Sequence, residues 1–323
     1  MKRIILLILA AVCLHGHAQQ DNGFRFNESG EFKIVQLTDL HFKYGNPASD
    51  VALECIDRVL EAESPDLVIF TGDIIYSAPA DTALRTVLQR VCCRKIPFAV
   101  TLGNHDDEQG LSRPLLYDIV RSLPGNVQAA DSENFALRIT SADGQRTEAL
   151  LYLIDSHAYS PLPDVKGYDW IKARQIAWYR DCSDRYTREN GGKPLPALAF
   201  FHIPLPEYAE AATHPQAILR GTRMEPVCSP ELNSGLFTAI KEQGDIMGCF
   251  VGHDHDNDYA VMWKDILLAY GRFTGGNTEY NHLPNGARVI VLHEGERRFT
   301  TWIRQRTGET EQTTTYPDSF VRK

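Results

Sequence analysis

Short apolar, β-rich runs recur along the chain at Phe32–Leu37, Leu67–Phe70, Phe98–Leu102, Ala149–Ile154, Ala197–Phe201 and Met247–Val251. Between the early runs the apolar positions change to helical spacing. Val51, Cys55, Val59 and Leu60 fall on one helix face, and Leu84, Val87, Leu88 and Val91 fall on another. Trp170–Tyr186 reads as a further helix. Strand, helix and strand repeated in this way predict a βαβ-rich, layered α/β fold. After residue 258 the rhythm becomes one of short strands, Tyr259–Trp263, Ile266–Tyr270, Arg288–Leu292 and Phe299–Ile303, with a Gly295 turn that suggests a hairpin. Residues 306–323 are polar and threonine-rich and are expected to form a loose C-terminal tail.

The pattern at the amino end is different. Lys2 and Arg3 precede the apolar run Ile4–Val12, and the chain then turns polar, which reads as a secretory signal peptide over residues 1–18 with cleavage after Ala18. The run is far short of the ~20 residues that a membrane-spanning helix needs, so no stable membrane insertion is expected. Val12 is too large for a lipid-modified cysteine at Cys13. The expected destination is therefore secreted or periplasmic, with residues 19–305 forming one domain. Six cysteines remain after cleavage, in no compact framework, which leaves disulfide pairing open. At 323 residues and 43% hydrophobic types the chain has ample material for a core. Its net charge of −9 argues against a nucleic-acid partner.

Candidate chemistry sits just beyond the strands. Five of the apolar runs are followed at once by potential ligands: Asp39-Leu40-His41, Gly72-Asp73, Gly103-Asn104-His105-Asp106, His202, and Gly252-His253-Asp254-His255. These segments hold five of the 11 histidines. The first three are separated by about the ~30 residues of one βαβ unit. Right-handed crossovers bring the carboxyl ends of such strands to one edge of a sheet, where open α/β folds place their ligands. Carboxylates, an amide oxygen and imidazoles form a mixed oxygen and nitrogen set suited to Zn, Fe or Mn rather than Ca. The set exceeds what one tetrahedral ion accepts, so two ions sharing a carboxylate are expected. Each fragment alone reads as a turn. In this order and at these distances the series does not.

The series resembles the calcineurin-like metallophosphoesterase superfamily from about Lys33 to Arg304. Phe200-Phe201-His202-Ile203-Pro204, Asn233-Ser234-Gly235, the run from Gly252 to Asp258, and Tyr270-Gly271-Arg272 resemble its purple-acid-phosphatase-related plant and fungal branch. The resemblance implies a four-layer α/β/β/α sandwich and two divalent or trivalent transition-metal ions. It implies that Asp39, His41 and His255 bind one ion, that Asn104, His202 and His253 bind the other, and that Asp73 bridges them. It also implies that His105 is a catalytic histidine near the scissile phosphate. Gly72-Asp73-Ile74-Ile75-Tyr76 fits the motif in which purple acid phosphatases supply a tyrosine ligand. Their first motif ends in Gly, however, where this chain has His41, so Tyr76 is expected beside the metals rather than on them.

The implied reaction is hydrolysis of a phosphate ester by in-line attack of a metal-bridging hydroxide, most readily on a monoester. Phosphodiester cleavage on the same scaffold, or a non-catalytic exported metal-containing binding protein, are the alternatives. Arg272, as a bidentate phosphate clamp, and His157, in the loop after a strand, are the candidate substrate-binding residues.

Overall fold

The protein is described from a computed structural model, which covers residues 23–129 and 133–321. The expected signal peptide, with Cys13, lies outside the described residues. In chain order the elements are β1 (Glu31–Leu37), α1 (Asp50–Glu63), β2 (Leu67–Thr71), α2 (Ala80–Cys92), β3 (Phe98–Thr101), α3 (Arg113–Arg121), β4 (Phe135–Thr140), β5 (Thr147–Leu153), α4 (Ala173–Glu189), β6 (Ala197–Phe200), α5 (Glu207–Thr213), β7 (Leu219–Arg220), α6 (Leu236–Gln243), β8 (Ile246–Val251), β9 (Ala260–Trp263), β10 (Ile266–Tyr270), β11 (Gly286–His293), β12 (Phe299–Gln305) and β13 (Thr310–Tyr316).

The strands form two sheets. One has the order β13-β12-β11-β1-β2-β3 and the other β4-β5-β6-β8-β10-β9-β7. β1, β2 and β3 run parallel, as do β5, β6, β8 and β10. Every residue of β2 is buried, as expected of a strand covered on both faces.

Three apolar clusters define four layers. In the first, α1, α2 and α3 pack Ile56, Val59, Val87 and Val120 against the outer face of the first sheet, through Val35, Val68 and Val100. A second cluster joins α4, α5 and α6 to the second sheet through Tyr179, Ala211, Ile240, Ala199 and Cys249. Between the sheets, Ile34, Ile69 and Ile290 meet Leu151, Phe200 and Phe250. This is the α/β/β/α sandwich that the resemblance implied. The strand periodicity identified the inner elements correctly, and the Gly295 hairpin is present as β11 and β12.

The expected loose tail is corrected. Thr310–Tyr316 pairs with β12 as an edge strand, and Tyr316 stacks on Phe299 with ring centroids 5.1 Å apart. Its threonines lack apolar alternation but suit an edge that faces water on one side. The six described cysteines are free, two of them buried.

Candidate metal centre

Both sheets turn the carboxyl ends of their parallel strands to the same place. Asp39 and His41 follow β1, Asp73 follows β2, and Asn104 and His105 follow β3. From the second sheet, His202 follows β6, and His253 and His255 follow β8. The loops are tied to one another across the sheets. The Asp39 and His41 amides donate to the carbonyls of Gly72 and Asp73, the His253 amide donates to the Asp39 carboxylate at 3.0 Å, and the Gly252 amide donates to His202 O. Asp39, His41, Asp73 and His253 take left-handed backbone conformations, with φ of 54°, 44°, 50° and 83°. Such conformations cost about 1–3 kcal/mol each and persist only where surrounding bonds over-determine them.

Two groups of donors result. Asp39, His41 and His255 offer atoms within 4.8 Å of one another, and so do Asp73, His202 and His253. Asp73 lies between them, with Oδ2 at 3.2 Å from His202 Nε2 and 3.7 Å from His41 Nε2. Asn104 Oδ1 is 3.2 Å from His202 Nε2, while its amide nitrogen donates to the Tyr159 hydroxyl, which fixes the amide with its oxygen inward. All seven residues are buried. The structure thus brings together every residue expected to bind metal, with His105 beside them at 5.4 Å from the His41 ring centroid.

The donor chemistry fits a pair of cations. His202 Nδ1 donates to Thr71 O at 2.7 Å and His255 Nδ1 donates to Tyr280 O at 2.9 Å. A carbonyl only accepts, so in its neutral form each ring leaves the lone pair of Nε2 facing the cluster, the tautomer that metal-ligating histidines require. His255 Nε2 stands 2.9 Å from His41 Nε2, and His253 Nδ1 stands 3.3 Å from His202 Nε2. Convergent lone pairs of this kind need a positive charge among them. Among the side chains themselves, burial penalises the His202 cation, yet Asp73 beside it raises the ring to about 9. Burial likewise pushes the Asp73 carboxyl up, but His202, then His41 and His105, hold it well below the usual carboxylate range. His41 and His253 are driven well below the ordinary histidine value, chiefly by burial.

Gly103 and Gly252 fill positions where no side chain fits. A Cβ on Gly103 would press on Asp73 Oδ1 and lie 2.7 Å from its Cγ, and one on Gly252 would lie 2.5 Å from Asp39 Oδ2. Asp106, from the same series, is buried and bonds to backbone amides. It accepts from the amides of Gly103, Asp73, Ile74 and Ile75, and so clasps the second and third loops together. Asp254 accepts in the same manner from the Cys228 amide and the Tyr270 hydroxyl.

Arg272 is corrected as a substrate residue. It is 1% exposed, and its guanidinium is spent on Asp258, Glu311 and the carbonyl of Pro284. A phosphate has no access to a fork already filled by two carboxylates. His157 places Nε2 on Gln175 Oε1 at 2.8 Å rather than on the cluster. The same loop instead delivers Tyr159, whose hydroxyl donates to Glu108 Oε1 and accepts from Asn104. Glu108 also meets His105 Nδ1 at 2.8 Å. Tyr76 packs its ring 4.9 Å from His105 and 5.5 Å from His41. Tyr168 and Tyr280 pack on His253 and His255 at 4.3 and 4.4 Å. Of these aromatic neighbours Tyr76 carried a motif signal and Tyr159 belongs to the strand-end loop that suggested His157, whereas Tyr168 and Tyr280 come from loops with no fixed spacing to the ligands.

Residues 32–257 match the family of calcineurin-like phosphoesterases, and the chain belongs to that family. Among individual relatives it is 33% identical to the probable inactive purple acid phosphatase 29 of Arabidopsis thaliana, over 92% of this chain and 86% of that protein. It is 35% identical to phosphatase DCR2 of Saccharomyces cerevisiae, over 86% of this chain but 54% of that longer protein. A dimetal phosphatase from Danio rerio has the same fold, with a TM-score of 0.61 at 15% identity, covering 88% of this chain and 98% of that one. Purple acid phosphatase PPD1 from yellow lupin shares it at a TM-score of 0.54 and 14% identity, covering 90% and 55%.

Proposed function

We propose that this chain is an exported phosphoesterase that hydrolyses phosphate esters, monoesters foremost, at a dinuclear centre of transition-metal ions. The observation that carries the reading is the convergence of seven buried donors from five remote loops, with ring tautomers set for ligation. In this reading Asp39, His41 and His255 hold one ion, Asn104, His202 and His253 hold the other, and Asp73 serves both. Cations bound there supply Lewis-acid neutralisation of the phosphoryl oxygens and make water acidic enough to attack at neutral pH. The protein's own share is positioning and charge. Asp73, fixed by the His105 amide on Oδ1 at 2.8 Å, aligns the two halves of the site. His105 is oriented by Glu108 at Nδ1 and presents Nε2 to the leaving alkoxide, to which it gives a proton. Asn104 is kept in register by Tyr159.

Metal analysis together with hydrolysis of p-nitrophenyl phosphate and bis(p-nitrophenyl) phosphate, before and after chelation, tests the reading. Two ions per chain and a chelator-sensitive monoesterase rate are expected. Faster diester turnover would instead make the chain a phosphodiesterase. The word "inactive" in a relative's name favours a second reading, an exported metal-containing binding protein. Two bound ions with no turnover of either ester would establish that reading. Export rests on residues 1–18, and no helix among the described residues is long and apolar enough to cross a membrane. Sequencing the amino terminus of secreted protein, with Gln19 expected first, checks it.

A further inference from the structure

Half-exposed tyrosines flank the histidine cluster, and of these only Tyr159, which orients Asn104, has a part in the proposed reaction. Tyr280 lies nearly parallel on His255, at 24° and 4.4 Å between centroids, and remains 50% exposed. Across the site Tyr168 stands edge-on to His253 and stacks with Tyr159 at 24° and 5.9 Å, and Tyr159 is 46% exposed. The rings are held still by their hydroxyls. Tyr280 donates to Glu225 Oε2 at 3.0 Å and Tyr159 donates to Glu108 Oε1 at 2.9 Å. Glu225 is fixed in turn by the Asp256 amide, and Glu108 by His105. Half-exposed aromatic faces pinned in this way are preorganised contact area, not leftover surface.

The charge around the frame is also informative. Each pinned ring ends on a carboxylate, and the ammonium over the neighbouring Tyr76 ring, Lys43 at 4.7 Å, is already paired with Glu279 at 3.1 Å. A substrate that carried further phosphates or carboxylates away from the reacting phosphate would meet negative charge. An uncharged aromatic group would meet rings.

We propose that the mouth of this centre is a specificity site for phosphate esters of aromatic alcohols, in which the substrate ring stacks on Tyr280 or Tyr159 and no second anionic group is tolerated. The proposal rests on the site being one that binds a phosphoryl group, as read above, and it specifies the ester. Aromatic stacking of one ring is worth about a tenfold change in affinity.

The test is calorimetric binding of phosphonates, which are not hydrolysed, to manganese-loaded protein. Benzylphosphonate is expected to bind about tenfold tighter than methylphosphonate, and 4-carboxybenzylphosphonate to lose most of that advantage. Tyr280→Ala should reduce the benzyl preference severalfold, and Tyr280→Phe, which keeps the ring but loses its Glu225 anchor, should retain most of it. Metal content and the unfolding midpoint of each variant are measured alongside. Equal affinity for the benzyl and methyl compounds in the unmutated protein overturns the proposal, even if phosphatase activity is present. A clear benzyl preference without turnover of any ester upholds it and removes the catalytic reading instead. Binding of neither phosphonate overturns both.

Discussion

Substituting one glycine tests the whole arrangement without touching a ligand. Gly103 has an ordinary backbone conformation, so alanine at this position introduces no left-handed strain. The added methyl would nevertheless press on Asp73 Oδ1 and lie 2.7 Å from Asp73 Cγ, where ordinary contact begins at 3.4 Å. The carboxylate must therefore retreat by at least about 0.7 Å, well beyond the ~0.2 Å that ligand distances tolerate, and the Asp73 backbone nitrogen, which the methyl also overlaps, must move with it. It cannot retreat freely, because the His105 amide holds Oδ1 and His202 lies 3.2 Å from Oδ2. A displacement approaching 1 Å costs on the order of 10²-fold in rate. Gly103→Ala should therefore lower the unfolding midpoint, and the folded fraction should bind well under two ions per chain by mass spectrometry and hydrolyse p-nitrophenyl phosphate at least ~10²-fold more slowly. Full metal content and undiminished turnover would show that Asp73 does not do what is assigned to it.

Other outcomes follow from particular side chains. Asp73→Asn should lower occupancy of both ions, whereas Asn104→Ala should deplete one, read as metal per chain after dialysis. His105→Ala should keep the metal and lose ~10²–10⁴ in turnover. Asp258→Ala removes the buried partner of the Arg272 cation, leaving it only Glu311 and the Pro284 carbonyl, and should destabilise the fold by about 3 kcal/mol in urea, while Glu311→Ala, at the exposed end of the same network, costs far less. The Cys228 thiol, exposed like Cys93, is nevertheless pushed up to about 12 by partial desolvation with Asp254 and Glu225 beside it. Since only the thiolate alkylates, iodoacetamide at pH 8 should label exposed Cys93 and spare Cys228, whose rate then climbs about tenfold per pH unit to pH 11.

The inner strands and the ligand loops were legible because they obey local rules. A buried strand must be apolar, and a side chain that binds metal must leave the strand end through a turn, so runs such as Phe98–Leu102 followed by Gly103-Asn104-His105 carry both signals together. What failed depends on distant partners. Arg272 after β10 looks like a free cation in sequence, and nothing nearby reveals that Asp258 and Glu311, 14 and 39 residues away, consume it. β13 lacks alternation because β12 supplies its pairing. Helices α3, α5 and α6 are short, and the run of turn residues around them hid their spacing. Tyr159, Tyr168 and Tyr280 reach the cluster by loop geometry alone.

The division of the donors between two sheets bears on how the protein matures. On the proposed assignment neither half of the sandwich offers a complete set for either ion: the first sheet lacks the late histidines, and the second has no carboxylate among its three donors. On the export reading, a chain threaded unfolded through a membrane carries no cations with it. Its cargo of metal is then chosen on the far side, by whatever ions are present when the two halves first close.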